Sequence, residues 1–136
     1  MKVRLTKRYR FSASHRLDTP ALSADENRKL YGKCNNPYGH GHDYVLDVTV
    51  AGTPDESGQI VGREALDQLV RERVLGRFDH HNLNTDIAEL AGVVPTTESL
   101  AVTIEKALAS NWPLRARLDR VRISETERNI FELEAK

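Results

Sequence analysis

The stretch "VRLTKRYRFSASHRL", residues 3–17, alternates between apolar and polar residues along almost its whole length. Val3, Leu5, Tyr9, Phe11, Ala13 and Leu17 take odd positions; Arg4, Thr6, Arg8, Arg10, Ser12, Ser14 and Arg16 take even ones. Successive strand side chains point to opposite faces, so a period of two predicts a half-buried strand. Lys7 is the one exception, and His15 falls on the apolar side. "HGHDYVLDVTV", residues 40–50, repeats the pattern: Tyr44, Leu46, Val48 and Val50 share one face, with Asp47 and Thr49 on the other. His40 and His42 extend the apolar face toward the strand's start. If the two strands pair antiparallel, the end of the first meets the start of the second, and His15, His40 and His42 converge.

The remaining elements follow from the same kind of reading. Residues 18–39 form a long connection, a length that is often functional. Within it Ser23 and Glu26 have capping-box spacing, predicting a short helix to about Leu30 that Gly32 stops. Leu66, Leu69, Val70, Val74 and Phe78 form a helical stripe over 63–78, and Leu100, Ala101, Ile104, Ala107 and Leu108 another over 98–111. Thr96 or Thr97 can cap the latter, and Pro113 ends it. Alternation returns at Val121 and Ile123 and at Phe131 and Leu133, with "SETERN" as a hairpin between them. The expected architecture is α+β, a four-stranded antiparallel sheet with two helices on one face, in the order ββααββ. Its free edges invite assembly with further copies.

Composition narrows the function classes. The 136 residues argue for one domain, and a chain this long buries roughly two-thirds of its unfolded surface. Lys plus Arg and Asp plus Glu each number 20, a formal net charge of zero, which excludes bulk phosphate neutralisation on nucleic acid. The single cysteine forms no intrachain disulfide and suits a reducing compartment, the cytoplasm. No apolar signal core follows the basic start, and no apolar run approaches the roughly 18 residues of a membrane helix.

Three converging imidazoles are good Zn2+ ligands and leave a fourth position open. Cys34, in "KCNNPYGHGHDY" (33–44), has two readings: a fourth ligand closing a structural site, or a free thiolate whose pKa the metal and a nearby protonated histidine lower. Its place in an irregular loop favours catalysis. Asp79 in "DHHNLN" can orient an imidazole, His80 or His81, although a cationic cluster at a helix end gives the same pattern. Glu125 is in phase with Val121 and Ile123; periodicity alone reads it as an exposed turn residue, whereas a buried carboxylate suits the aminopyrimidine edge of a pterin or guanine. "PTTES" (95–99) offers hydroxyls to the same ligand, or is an ordinary cap.

Together, "FSASHRL", "GKCNNPYGHGHDY", "DHHNLN", "PTTES" and "SETERN", in this order and spacing, resemble the 6-pyruvoyltetrahydropterin synthase family. The resemblance spans nearly the whole chain. It implies a tunnelling fold assembled as a barrel, with two stacked trimers forming a hexamer. It implies conversion of 7,8-dihydroneopterin triphosphate to 6-pyruvoyltetrahydropterin and triphosphate. It places Zn2+ on His15, His40 and His42, makes Cys34 the catalytic thiol, and brings Asp79 and His80 from a neighbouring subunit. Glu125 becomes the pterin anchor, and Thr96 and Thr97 line the pterin pocket. The related 6-carboxytetrahydropterin synthases usually have a shorter spacer after the cysteine, so Asn35 to Gly39 favour the pyruvoyl branch. Another class remains in view, a non-catalytic pterin-binding module stapled by a closed zinc site. Two positions depart from the family pattern: Gly62–Arg63, where an Asp or Asn is expected and the helix start is weakened, and His81.

Overall fold

The computed structural model describes residues 2–135. Strands β1 (Val3–His15) and β2 (His40–Gly52) pair antiparallel over their full length, from Val3 opposite Gly52 to His15 opposite His40. β4 (Arg117–Ser124) pairs with β2, and β5 (Ile130–Glu134) with β4, both antiparallel. A fifth strand corrects the four-stranded expectation. β3 (His81–Asn82) runs parallel to β1 beside Ala13 and Ser14, giving a mixed sheet of order β3-β1-β2-β4-β5. Two residues carry no readable alternation. Main-chain bonds fix them at β1's edge: His80 N–H donates to Ser12 O at 2.6 Å and Leu83 N–H to Ser14 O at 2.8 Å.

The helices cover one face of this sheet. α2 (Arg63–Val70), a π-helical turn (Arg71–Leu75) and α3 (Gly76–Phe78) follow one another over the span predicted as a single helix. Leu66, Val70, Val74 and Phe78 are all fully buried and spaced four apart. That spacing overshoots a turn of about 3.6 residues; the wider π turn takes up the excess and keeps all four on the sheet. Gly62 begins α2 without a side-chain cap, as its sequence implies. α4 (Thr97–Ala109) is capped by Thr96, whose Oγ1 accepts from Ser99 N–H at 3.2 Å. Leu100, Ile104 and Leu108 join Phe11, Tyr44, Leu46, Val48, Val50, Val121 and Ile123 in one core. Each large aliphatic side chain buried there contributes roughly 1.5–3 kcal/mol.

Lys7, the exception in β1, faces the helices and is bound there: its Nζ donates to Asp67 of α2 at 2.8 Å, beside a 2.7 Å bond from the Tyr9 hydroxyl. The connection after β1 holds the expected short helix, α1 (Ala24–Tyr31), with both halves of its capping box formed. A 3-10 turn, Gly32–Asn35, then carries Cys34. Among the described residues, no helix is long and apolar enough to cross a membrane.

Candidate active site

Antiparallel register delivers the end of β1 to the start of β2. Gly39 lets them close: its φ is +82°, and a Cβ there would lie 2.9 Å from His15 O. His15 Nε2 then stands 3.1 Å from His42 Nε2. Cys34 Sγ lies 3.6 Å from the same nitrogen, and Glu125 Oε1 3.3 Å from it. The ligand atoms of His15, Cys34, His42 and Glu125 all fall within 4.8 Å of one another, a group that can bind a metal ion.

The chemistry of these donors fits a cation. His15 Nδ1 lies 2.8 Å from Pro95 O. A carbonyl only accepts, so Nδ1 carries the proton and Nε2 presents its lone pair, the arrangement of metal-bound histidines. His42 Nε2 faces an imidazole nitrogen, a sulfur and a carboxylate at once, more acceptors than one N–H satisfies. Burial lowers the pKa of both histidines, keeping them in the neutral, ligating form. Burial pushes the Cys34 thiol up, and the Glu125 charge adds to the rise. The lowering expected from a protonated histidine is therefore absent; a cation held by this group would supply it.

Backbone ties hold Cys34 in place. Leu17 N–H donates to Cys34 O at 2.7 Å, and Asn35 Nδ2 donates to Leu17 O at 2.7 Å and to Asp18 Oδ1 at 3.0 Å. Asn27, buried, donates to Thr19 O and Ser23 O and accepts from Thr19 N–H, stitching α1 to the preceding turn. Glu125 begins the β4–β5 hairpin, its N–H donating to Asn129 O at 3.0 Å.

The sequence model of 6-pyruvoyl tetrahydropterin synthase matches residues 4–136. The chain belongs to the 6-pyruvoyl tetrahydropterin synthase family. It is 43% identical over 127 residues to the 6-pyruvoyl tetrahydrobiopterin synthase of Poecilia reticulata, covering 93% of this chain and 86% of that protein. The human 6-pyruvoyl tetrahydrobiopterin synthase is 42% identical over 130 residues, 95% of this chain and 89% of that one. The solved structure of Caenorhabditis elegans 6-pyruvoyl tetrahydropterin synthase superposes with a TM-score of 0.91 at 35% identity, covering 100% of this chain and 97% of that one.

Within this synthase fold the expected site residues fall into three groups. His15, His42, Cys34 and Glu125 come together. Glu125 is not the exposed turn residue that periodicity favours, for its side chain is 16% exposed and reaches His42. His40 stands beside the group, exposed, its ring centroid 4.7 Å from that of His42. Thr96 is the α4 cap, whereas Thr97 is buried with a hydroxyl that has no hydrogen-bond partner. Asp79 and His80 lie at the other edge of β1: Asp79 Oδ1 accepts from Ser12 N–H at 2.9 Å, and its Oδ2 is 3.6 Å from His80 Nε2. His80 takes a left-handed φ of +60° in the turn before β3, and its ring is exposed. His81, inseparable from it by pattern, instead starts β3 and turns its Nδ1 to Asp79 O at 2.7 Å. The positioning roles of Asn27, Asn35 and Pro95 were not legible in the sequence. An asparagine in a turn-rich connection signals local bonding, not which carbonyl it holds.

Proposed function

We propose that the protein converts 7,8-dihydroneopterin triphosphate to 6-pyruvoyltetrahydropterin with elimination of triphosphate, as a carbon–oxygen lyase. The observation that carries this reading is the convergence of two imidazoles, a thiol and a carboxylate at one end of the sheet, in a chain of this family. His15, His40 and His42 would hold Zn2+, which supplies Lewis acidity to the substrate's side-chain oxygens. Cys34 is the thiolate base that takes the carbon-bound proton, 3.6 Å from the nearest imidazole nitrogen. Glu125 accepts the N–H edge of the aminopyrimidine and turns the reacting carbons toward Cys34, with Thr96 and Thr97 lining the ring's pocket.

Asp79 and His80 act on the thiol site of an adjacent protomer, returning or relaying the proton. What supports this is that neither belongs to the His15–Cys34–His42–Glu125 group: both lie next to β3, on the opposite side of β1 from β2. The long β1 edge before Ala13, unpaired by β3, and the outer edge of β5 are the surfaces through which copies would join into a homo-hexamer of two trimers. The assembly is assigned to the cytoplasm on its single free cysteine.

Mass spectrometry of the products from 7,8-dihydroneopterin triphosphate tests the reading. The expected result is 6-pyruvoyltetrahydropterin with one triphosphate released per turnover. A carboxylated pterin with acetaldehyde assigns the chain to the 6-carboxytetrahydropterin branch. No triphosphate at full metal occupancy makes the protein a zinc-stapled binding module.

A further inference from the structure

Two asparagines follow Cys34 in the chain, and the fold treats them in opposite ways. Asn35 is buried, only 7% exposed. Asn36 is exposed, and its Oδ1 accepts from Tyr38 N–H two residues on. The amide nitrogen of an asparagine side chain has two N–H donors. Asn35 uses both on the segment that leaves β1: Nδ2 donates to Leu17 O at 2.7 Å and to Asp18 Oδ1 at 3.0 Å. Leu17 N–H in turn donates to Cys34 O at 2.7 Å. Both main-chain polar groups of Leu17 are thus taken by consecutive residues of the 3-10 turn. Leu17 lies two places after His15, so the turn that carries the thiol is fastened to the strand that carries an imidazole of the site.

Other residues already secure what surrounds this turn. Asn27 of α1 bonds Thr19 N–H, Thr19 O and Ser23 O, which closes the connection after β1. His15 and His42 stand on a ladder paired over its full length. Neither feature needs Asn35. What depends on Asn35 is the seat of the 3-10 turn, and with it the part-buried Cys34 Sγ, 3.6 Å from His42 Nε2.

We propose that Asn35 is a positioning residue for catalysis: its hydrogen bonds to Leu17 and Asp18 set where the Cys34 sulfur stands against the histidines. It acts through Cys34 and does not itself touch the substrate. The inference rests on the assignment of Cys34 as the base. Its effect on rate follows from the steepness of positioning, since a displacement of about 1 Å at a reacting group can cost about 100-fold.

The experiment compares metal-loaded Asn35→Ala and Asn36→Ala with the wild type on 7,8-dihydroneopterin triphosphate, measuring kcat, KM, metal content and Tm. The expected result for Asn35→Ala is kcat lowered about 10-fold or more, with KM and metal content kept. Its Tm falls, because Leu17 O loses its donor. Asn36→Ala keeps the wild-type kcat. Asn35→Asp has the same shape but turns a carboxylate toward two acceptors, and falls at least as far as Asn35→Ala. Cys34 is the only cysteine of the chain, so alkylation by iodoacetamide reports this sulfur alone. Its rate changes in Asn35→Ala and stays at the wild-type value in Asn36→Ala. An unchanged kcat or an unchanged alkylation rate in Asn35→Ala would overturn the proposal, as would a kcat that falls only in proportion to lost metal. If Asn35→Ala does not fold, Asp18→Ala removes one of the two acceptors and is read the same way, with a smaller loss in kcat. Failure of the wild type to release triphosphate overturns the assignment of Cys34 as the base, a separate result, because alkylation reads the sulfur without turnover.

Discussion

The β1–β2 ladder has two ends built from the same two strands, and they treat polar groups in opposite ways. At the Val3 end and along the strands, most charges are matched, although Arg120 Nε and Arg122 Nε of β4 are buried without a partner. Arg4 and Arg117 both bind Asp119, Arg8 grips Asp47 through two bonds of 2.8 and 3.1 Å, and Lys7 and Tyr9 share Asp67. At the His15 end, two imidazoles, a thiol and a carboxylate crowd one point. Matched groups stabilise a fold and rarely react; mismatched ones are retained where a ligand completes them.

The largest effect belongs to the crowded end. His42→Ala removes the nitrogen on which the other three groups converge. We expect loss of bound metal and of all measurable turnover, checked by elemental analysis and triphosphate release. Full metal content in that variant would mean that the His15 end is not a metal centre. Next, Cys34→Ala should keep its metal and lose at least about 100-fold in kcat, the scale of a general acid–base group. Loss of metal together with activity would place the sulfur among the ligands.

The matched end gives smaller effects of a different kind. Asp67→Asn should lower stability by about 1 kcal/mol at neutral pH, the scale of a half-exposed charge pair, with metal content and kcat untouched. Hydrogen bonds from Lys7 first, then from Tyr9, hold the Asp67 carboxyl below its ordinary value. The folded state therefore takes up that proton less readily than the unfolded chain. Its contribution is complete above about pH 4 and fades as pH falls through the folded pKa. Urea unfolding as a function of pH should show a shallower acid decline in Asp67→Asn; an unchanged slope would mean the matched pair adds nothing. The smallest effect is that of Ser23→Ala, which removes the α1 cap and should cost about 1 kcal/mol or less, seen as a small fall in Tm with metal content preserved.

How much of this was readable beforehand differs by region for physical reasons. The alternation of Val3 to Leu17 and of Tyr44 to Val50 revealed both long strands and the meeting of His15 with His42, because one face is more buried than the other along most of their length. The Ser23–Glu26 box announced α1. β3 escaped notice because two residues hold no period, and the π turn because its sequence keeps a helical stripe. In the site, Glu125 showed only as a phase anomaly, since periodicity reports a face and not what crosses it. Lys7 was the same kind of anomaly; Asp67, sixty residues away, resolves it. The hold of Pro95 O on His15 is a main-chain contact between distant elements, which no local pattern encodes.

The central claim is that imidazoles hold the metal while the sulfur of Cys34 stays off it. X-ray absorption at the zinc edge of the metal-loaded protein measures this. The account predicts a shell of nitrogen and oxygen neighbours at about 2.0–2.1 Å and no sulfur. A sulfur neighbour at about 2.3 Å would contradict it and make Cys34 a ligand.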